Sequence, residues 1–334
     1  MGLDIAVALA LAFAITNGFH DAANAIATLV ATRAARPGPA IVMSATFNMI
    51  GALLLGTAVA NTIAGIVTVQ PSEAVAVIGS AVLAGVVWNL LTWSRGLPSS
   101  SGHALVGGLV GAALAQAGSD AVNWGGMDGL EPVGVIGVLI VLAVSPALGL
   151  GFGLAFLRLN RRLLRRATRQ VERPVRGGEW VASAALSLSH GTNDAQKMMG
   201  VIAALLLATG HLEAFSVPLW VKFATGAALT TGTALGGWRI VRTVGRGIFH
   251  LAPLDGFSSQ GASTAVILGA SYLGGPVSTT QVVASSVVGV GVGRRRWKHV
   301  RWTVVRSMGF AWLLTLPATA ALGAITLVVW NAIG

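Results

Sequence analysis

Two aspartates, Asp21 and Asp194, lie inside long apolar stretches of the chain. A carboxylate without a partner near the middle of a membrane-spanning helix costs about 2.5 to 3.5 kcal/mol on an insertion scale. Of the eleven acidic residues, only these two lie well within such stretches. A buried acidic side chain of this kind usually marks the path of an ion or a substrate. The pair therefore predicts an ion or substrate pathway.

Each aspartate has polar neighbours at helical spacing. A helix places residues i, i+4, i+7 and i+11 on one face. The residues on these faces are Asn17, Asp21, Asn24 and Thr28, with His20 beside them, in the first half, and His190, Asp194 and Lys197 in the second. A purely structural alternative is an ion pair between Asp194 and Lys197, with the amide and hydroxyl side chains joining helices. That alternative explains only the second half.

Two hydroxyl-rich motifs supply the complementary chemistry. "PSSS" (98–101) and "PVSTT" (276–280) each interrupt an apolar stretch and precede an unbroken apolar helix. A helix start exposes free N–H groups and the positive end of the helix dipole, and here hydroxyl groups lie beside them. Two such starts predict a cradle for one tetrahedral anion. The alternative is that Ser99 to Ser101 and Ser278 to Thr280 only cap their helices.

The composition indicates that membrane-spanning helices position these residues. The chain is 54% hydrophobic and 10% charged, its mean hydropathy is +0.76, and several apolar runs reach the roughly 18 residues of a membrane span. The net charge of +11 comes from basic clusters between apolar runs, so we expect no nucleic-acid binding. The absence of cysteine excludes disulfides and thiolate metal sites.

The basic clusters predict a topology, because cytoplasmic loops of membrane proteins are rich in arginine and lysine. Clusters near Arg33, at 158–176, at Arg239 to Arg246 and at 294–301 mark the inside, and both termini are placed outside. The predicted spans are 3–31, 39–64, 132–157, 178–209, 215–237 and 303–330. Two further segments, 74–117 and 251–293, are two-armed and return to the side from which they leave.

The order of these segments is the same in both halves and their orientation is opposite, which is the pattern of an inverted repeat. Asp21 aligns with Asp194 at an offset of 173 residues, and the two hydroxyl-rich motifs align at an offset of 178. We therefore expect an all-α polytopic membrane protein with inverted repeats at 1–157 and 178–334 and a basic cytoplasmic linker at 158–177. Each repeat has three spanning helices, the first broken at its polar motif, and a re-entrant helical hairpin.

Six segments together closely resemble the PiT inorganic phosphate transporter family: "NGFHDAANAIAT", "FNMIGALLLGTAVANTIAGIV", "LPSSSGHALVGGLVGA", "SHGTNDAQKMMGVI", "GTALGGWRIVRTVG" and "LGGPVSTTQV". The resemblance runs from the first helix to near residue 293. It implies a secondary transporter of the plasma or inner membrane that takes up inorganic phosphate with a coupling cation by alternating access. It also implies a homodimer, with no cofactor and no enzymatic activity.

Carried onto this chain, the resemblance implies a set of site residues. Phosphate would be bound by Ser99, Ser100, Ser101, Ser278, Thr279 and Thr280. The coupling cation, with sodium as one candidate, would be bound by Asp21, Asn24, Asn193 and Asp194. Secondary candidates are Asn17, His20, His103, His190, Lys197 and Gln281.

Departures from the family pattern bear on the coupling cation. Gln281 and Gln260 stand where many members have histidine and glutamate, so two titratable groups are missing. His20 and Lys197 resemble the proton-coupled bacterial branch, whereas sodium-coupled members tend to have asparagine at both positions. The sequence is compatible with coupling to a proton, to sodium or to a metal–phosphate complex.

Two other functions are compatible with parts of the pattern. A sulfate permease of the same fold is the alternative, but hydrogen phosphate carries protons that need acceptors, so carboxylates near the anion favour phosphate. An intramembrane hydrolase would need a nucleophile and a base in contact. Ser101 and His103 are two residues apart, and His20 and Asp21 are neighbours, so a helix points each pair in different directions, by about 200° and about 100°.

Overall fold

The computed structural model describes residues 2–235, 248, 251–294 and 297–333, and these residues are mostly helical. The first half contains α1 (Gly2–Ala31), α2 (Pro37–Leu54), α3 (Ala58–Ala64), α4 (Pro71–Ser94), α5 (Ser101–Ala117) and α6 (Gly134–Leu163). A small antiparallel hairpin of β1 (Gly126–Asp128) and β2 (Glu131–Val133) precedes α6.

The second half contains α7 (Glu172–Ala208), α8 (Leu219–Leu235), α9 (Pro253–Tyr272), α10 (Thr279–Gly293) and α11 (Trp302–Ile333). Prolines begin α2, α4 and α9, where the missing N–H costs nothing and the fixed φ suits the first turn. Some predicted features lie outside the described residues: the end of the predicted span 215–237, most of the motif that begins at residue 232, and the arginines Arg239, Arg242, Arg246, Arg295 and Arg296.

Among the described residues, the helices α1, α2, α4, α6 and α11 are long and apolar enough to cross a membrane. The longest helix, α7, spans 37 residues but carries charged side chains such as Asp194 and Lys197. Large apolar side chains on α11 point outward, including Phe310, Leu313 and Val328, as expected for a surface that contacts lipid. The all-α membrane fold predicted from the composition is confirmed.

The predicted breaks in the first helix of each repeat are wrong, because α1 and α7 run unbroken through the polar motifs. The glycines of these motifs serve close helix packing instead. A Cβ on Gly18 would lie 2.2 Å from the carbonyl oxygen of Leu229 in α8, and one on Gly191 would lie 2.1 Å from that of Asn48 in α2. Small residues let helix backbones approach this closely in membranes.

The break falls instead within the predicted span 39–64, at residues 55–57 between α2 and α3. Gln196 of α7 satisfies the backbone there. Its amide donates to the carbonyl oxygen of Leu55 at 2.7 Å, and its side-chain oxygen accepts from the N–H of Val59 at 2.9 Å. A buried backbone group needs such a partner wherever a helix is interrupted.

The predicted linker 158–177 is shorter in the structure. Helix α6 continues to Leu163 and α7 begins at Glu172, so residues 164–171 connect them, with a short 3₁₀ turn at Arg169–Val171. The basic residues of the linker are therefore largely on helix ends.

The helices of the two halves pack against each other in reciprocal pairs. Helix α1 packs on α8 and α7 packs on α2, while α5 packs on α11 and α10 packs on α6. Glycines allow the last two contacts: a Cβ on Gly111 would lie 1.9 Å from the carbonyl oxygen of Ala320, and one on Gly153 would lie 2.3 Å from that of Ser286. This packing holds the turns of the hairpins α4–α5 and α9–α10 against the middle of α1 and α7.

Candidate functional site

Asp21, on α1, receives hydroxyl groups from the starts of both hairpin helices. Thr280 of α10 donates to its Oδ1 at 2.6 Å, and Ser101 of α5 donates to its Oδ2 at 3.2 Å. Thr279 is 3.4 Å from Oδ2, and Nδ1 of His20 is 3.3 Å from Oδ1. Asp21 is buried, so the hydroxyl groups replace water around its carboxylate.

Asp194, on α7, has charged as well as neutral partners. The ammonium of Lys197 donates to its Oδ1 and to the carbonyl oxygen of Val277 at 2.9 Å. Nε2 of His190 lies 2.7 Å from Oδ2, and Thr279 donates to the same oxygen at 3.2 Å. The ion pair considered as a structural alternative is therefore present, and Thr279 bridges the two aspartates.

The residues that precede these hydroxyl groups cap the hairpin helices. The Oγ of Ser100 accepts from the N–H of His103 at 3.2 Å and lies 2.7 Å from its Nδ1. The Oγ of Ser278 accepts from the N–H of Gln281 at 3.4 Å. Ser100 and Ser278 therefore cap their helices, while Ser101, Thr279 and Thr280 contact the aspartates. Anion binding by these motifs stays a prediction.

Ser99 reaches Asp21 only through His20. Nε2 of His20 lies 3.3 Å from the Oγ of Ser99 and 3.2 Å from the Oγ1 of Thr92, and the two hydroxyl groups are 3.0 Å apart. Thr92 lies near the end of α4 and was not predicted. It is one of several polar residues in a mostly apolar helix, which is too weak a signal to single out from sequence.

Four predicted site residues have buried oxygen atoms with no hydrogen-bond partner among the described residues: Oδ1 of Asn17, Oδ1 of Asn24, Oδ1 of Asn193 and Oε1 of Gln281. The amide of Asn24 donates to the Oγ1 of Thr280 at 3.0 Å. Its free oxygen therefore lies on a side chain that is held next to Asp21. An acceptor oxygen of this type can coordinate a hard cation or bind a water molecule.

Asn193 was predicted beside the aspartates, but the structure places its side chain elsewhere. Its amide donates to the Oγ of Ser271 at 2.8 Å and to the carbonyl oxygen of Gly275 at 3.1 Å. Consecutive helical residues point about 100° apart, so Asn193 and Asp194 face different sides of α7. Asn193 thus stabilises the turn of the second hairpin.

Asn48 of α2 is a further site residue; it lies in the quoted segment "FNMIGALLLGTAVANTIAGIV" but was not among the predicted site residues. Its Oδ1 lies 3.1 Å from Nδ1 of His190, and its amide donates to Thr233 at 2.9 Å. Asn48 therefore orients the histidine that contacts Asp194. Its signal was a lone asparagine inside the apolar segment "FNMIG".

The polar face of α1 continues beyond Asn24 to Thr28, and Thr32 follows directly after the helix ends at Ala31. Thr32 donates at 2.8 Å to the Oε1 of Glu179, a fully buried residue of α7. The Oγ1 of Thr28 and the Oε2 of Glu179 have no hydrogen-bond partner within the described part of the chain. This column of buried oxygen atoms leads from Asp21 toward the end of α1 that precedes Arg33.

The centre of the site has the donor set of a cation site. Asp21, His190 and Asp194 each offer one ligand atom, and these three atoms lie within 4.8 Å of one another. All three residues are buried. Among the described residues of this cluster, two carboxylates face the single ammonium of Lys197. The site can therefore hold a cation beside hydroxyl groups suited to an anion.

A buried charged site enclosed by membrane-spanning helices is typical of secondary transporters, in which ions and substrate bind midway through the bilayer. The sequence profile described as "Phosphate transporter family" matches residues 17–323 of this chain. The chain therefore belongs to the phosphate transporter family, and it is a membrane transporter rather than an enzyme. The family predicted from the sequence motifs is confirmed.

Relatives in several bacteria match the chain along nearly its whole length. A protein of Bacillus subtilis strain 168 is 41% identical over 332 residues, which cover 98% of this chain and 96% of that protein. A protein of Rhizobium meliloti is 42% identical and covers 96% of this chain and 93% of its own length. Each is named "Probable low-affinity inorganic phosphate transporter".

A solved structure shares the fold. It is named "The sodium-dependent phosphate transporter", its sequence identity to this chain is 26%, and its TM-score is 0.88 over 100% of both chains.

Proposed function

We propose that the chain takes up inorganic phosphate together with a coupling cation by alternating access. The observation that carries the proposal is the meeting of both hairpin starts at the two aspartates. Hydroxyl groups of Ser101, Thr279 and Thr280 contact carboxylate oxygens at 2.6 to 3.4 Å. This arrangement combines hydrogen-bond donors for an anion with carboxylates for a cation.

Phosphate fits the hydroxyl groups and the carboxylates better than sulfate does. The oxygens of the anion accept from hydroxyl groups and from the N–H groups at the helix starts. Hydrogen phosphate also donates, and Asp21 or Asp194 can accept that proton, whereas sulfate has no proton to donate at neutral pH. A sulfate permease is thus the alternative that the carboxylates disfavour.

The coupling cation is required by the membrane potential. An anion entering a cell with a negative interior is opposed by about 2.3 kcal/mol per charge per 100 mV. The candidate ligands for a cation are the oxygens of Asp21 and Asn24 and the hydroxyl group of Thr280, all buried. Sodium binds through such oxygen ligands, and a proton can instead titrate a carboxylate. The related solved structure is named as sodium-dependent, which makes sodium the first cation to test.

Alternating access is supported by the closed state of the site. The six hydroxyl residues assigned to phosphate are at most 3% exposed, so substrate cannot reach them without helix movement. The reciprocal packing of α1 on α8 and of α7 on α2 supports two inverted repeats that move against each other. The hairpin turns lie against the middle of long helices, which favours re-entrant hairpins with mid-membrane tips.

Uptake into proteoliposomes tests the proposal. Purified protein is reconstituted, and sodium and proton gradients are imposed separately while labelled phosphate is measured inside. We expect one of the gradients to drive phosphate above its equilibrium concentration, and we expect excess sulfate not to compete. Equal competition by sulfate and phosphate would instead support the sulfate permease.

A variant of the acidic site sharpens this test. Asp21→Asn removes the carboxylate but keeps its size, and we expect it to abolish concentrative uptake. Asp128→Asn is a matched control, because Asp128 lies exposed in the β-hairpin. Concentrative uptake by Asp21→Asn at the level of this control would contradict the proposed role of Asp21.

A further inference from the structure

The two aspartates of the site differ in the charge of their partners. Asp21 has hydroxyl partners from Ser101 and Thr280. Asp194 instead pairs with the ammonium of Lys197, three residues further along α7. The residue three positions after Asp21 is Asn24, which carries no charge. The site is therefore symmetric in its carboxylates and asymmetric in its fixed positive charge.

The ammonium of Lys197 occupies a place with the ligands of a metal cation. It is buried, it contacts an oxygen of Asp194, and it donates to the carbonyl oxygen of Val277 at 2.9 Å. A Cβ on Gly102 would lie 3.5 Å from its Nζ, so the ammonium lies next to the start of each hairpin helix. A carboxylate and a backbone carbonyl are oxygen ligands of the type that bind hard cations.

At the matching place beside Asp21 the ligands are present but the fixed charge is not. Asn24 directs its amide to Thr280 at 3.0 Å, and its Oδ1 has no hydrogen-bond partner among the described residues. Carboxylate, hydroxyl and amide oxygens are thus available there for a mobile cation. His20 faces Asp21 and His190 faces Asp194, so a histidine on each side does not create the difference.

We infer that Lys197 is a built-in cation that fills one of two equivalent cation positions, so the carrier has a single exchangeable cation site, at Asp21 and Asn24. This inference rests on the proposed function and specifies its stoichiometry. Lys197 is paired with Asp194, so Asp21 is the carboxylate without a fixed cation, and one monovalent cation can balance it. Lys197 thereby determines how many cations move with each phosphate.

The test measures the number of cations coupled to each phosphate. Proteoliposomes are held at zero membrane potential with a tenfold inward gradient of the cation that drives the wild type, and the final accumulation of phosphate is recorded. Lys197→Asn places on α7 the residue that α1 has at the equivalent position. We expect this variant to use one more cation and, by mass action, to accumulate about tenfold more phosphate at equilibrium.

Two further variants keep the inference falsifiable if Lys197→Asn does not fold. Asn24→Lys places a fixed cation on both sides, and we expect it to exchange phosphate across the membrane without any response to the cation gradient. The double variant Asn24→Lys with Lys197→Asn moves the built-in cation to the other half, and we expect the accumulation of the wild type. Lys298→Asn removes a lysine that is exposed outside the site, and it serves as the control for a lost positive charge.

The failure of this inference is distinct from the failure of the proposed function. A wild type that accumulates no phosphate in any cation gradient would refute the proposed function. If the wild type accumulates phosphate, two results would overturn the role of Lys197 alone. They are a coupling number of Lys197→Asn equal to that of Lys298→Asn, and uptake by Asn24→Lys that is still driven by the gradient.

Discussion

The contact between α5 and α11 is tight enough that one methyl group should disturb it. Gly111 of α5 faces the backbone of α11, and a Cβ at this position would lie 1.9 Å from the carbonyl oxygen of Ala320. Ordinary contact begins at 3.4 Å, so Gly111→Ala must separate the two helices by about 1.5 Å locally. Overpacking of this kind typically costs about 1 to 3 kcal/mol.

The same displacement reaches the site through α5. Ser101 begins this helix, and its Oγ lies 3.2 Å from Asp21. A shift approaching 1.5 Å along α5 would lengthen that contact beyond hydrogen-bond distance. A hydrogen bond weakens steeply outside the normal range of distances and angles. We therefore expect Gly111→Ala to lower both the unfolding temperature and the rate of phosphate uptake.

Thermal unfolding in detergent and uptake in proteoliposomes measure these two effects. Gly309→Ala is the matched control, because it adds the same methyl group to α11 at a position with no atom within 4 Å. This control should be neutral or more stable by up to about 1 kcal/mol, as expected from helix propensity. If Gly111→Ala and Gly309→Ala unfold at the same temperature and transport at the same rate, the packing argument is refuted.

Three further substitutions test other contacts. Thr279→Val removes the hydroxyl that bridges both aspartates. A hydrogen bond to a charged group is worth about 1.5 to 3 kcal/mol, so the phosphate concentration for half-maximal uptake should rise roughly 10- to 150-fold. An unchanged value would contradict the role of the hydroxyl. Gln196→Leu leaves two backbone groups at the α2–α3 break without their hydrogen-bond partner. Calorimetry should show that the free energy of unfolding falls by about 1 to 3 kcal/mol for each group left unsatisfied. Gly256→Ala places a Cβ 2.0 Å from the Oε1 of the buried Glu179, so uptake should fall, whereas Gly269→Ala on the same helix, with nothing within 4 Å, should transport normally.

Local spacing was enough to predict which polar residues share a helix face. Asp21, Asn24 and Thr28 follow the helical repeat, and the structure keeps all three buried on α1. The spacing of Asp194 and Lys197 likewise predicted their contact, because residues three apart on a helix are neighbours. These predictions succeeded since they depend on the geometry of one helix alone.

The errors arose where the outcome depends on distant partners. The polar motifs that contain Gly18 and Gly191 were predicted to break their helices, but these glycines are contact points with α8 and α2. The break at 55–57 is stabilised by Gln196, which is 141 residues from Leu55 in the sequence. Asn193 was transferred from the family motif without regard to its direction on α7. Helix periodicity does indicate the direction of Asn193, but it contains no information about the partners of Gly18, Gly191 and Leu55 on other helices.

The reciprocal packing of the halves has a consequence for how the protein is made. The hairpin that bears Ser101 is synthesised well before α11, the helix on which α5 packs. Until α11 enters the bilayer, the glycine-lined side of α5 has no partner. The polar turn of the hairpin then lies in an incompletely packed protein. Packing of the first half is thus completed only after α11 has been synthesised, so a nascent chain arrested before α11 should be a preferred substrate for membrane proteases.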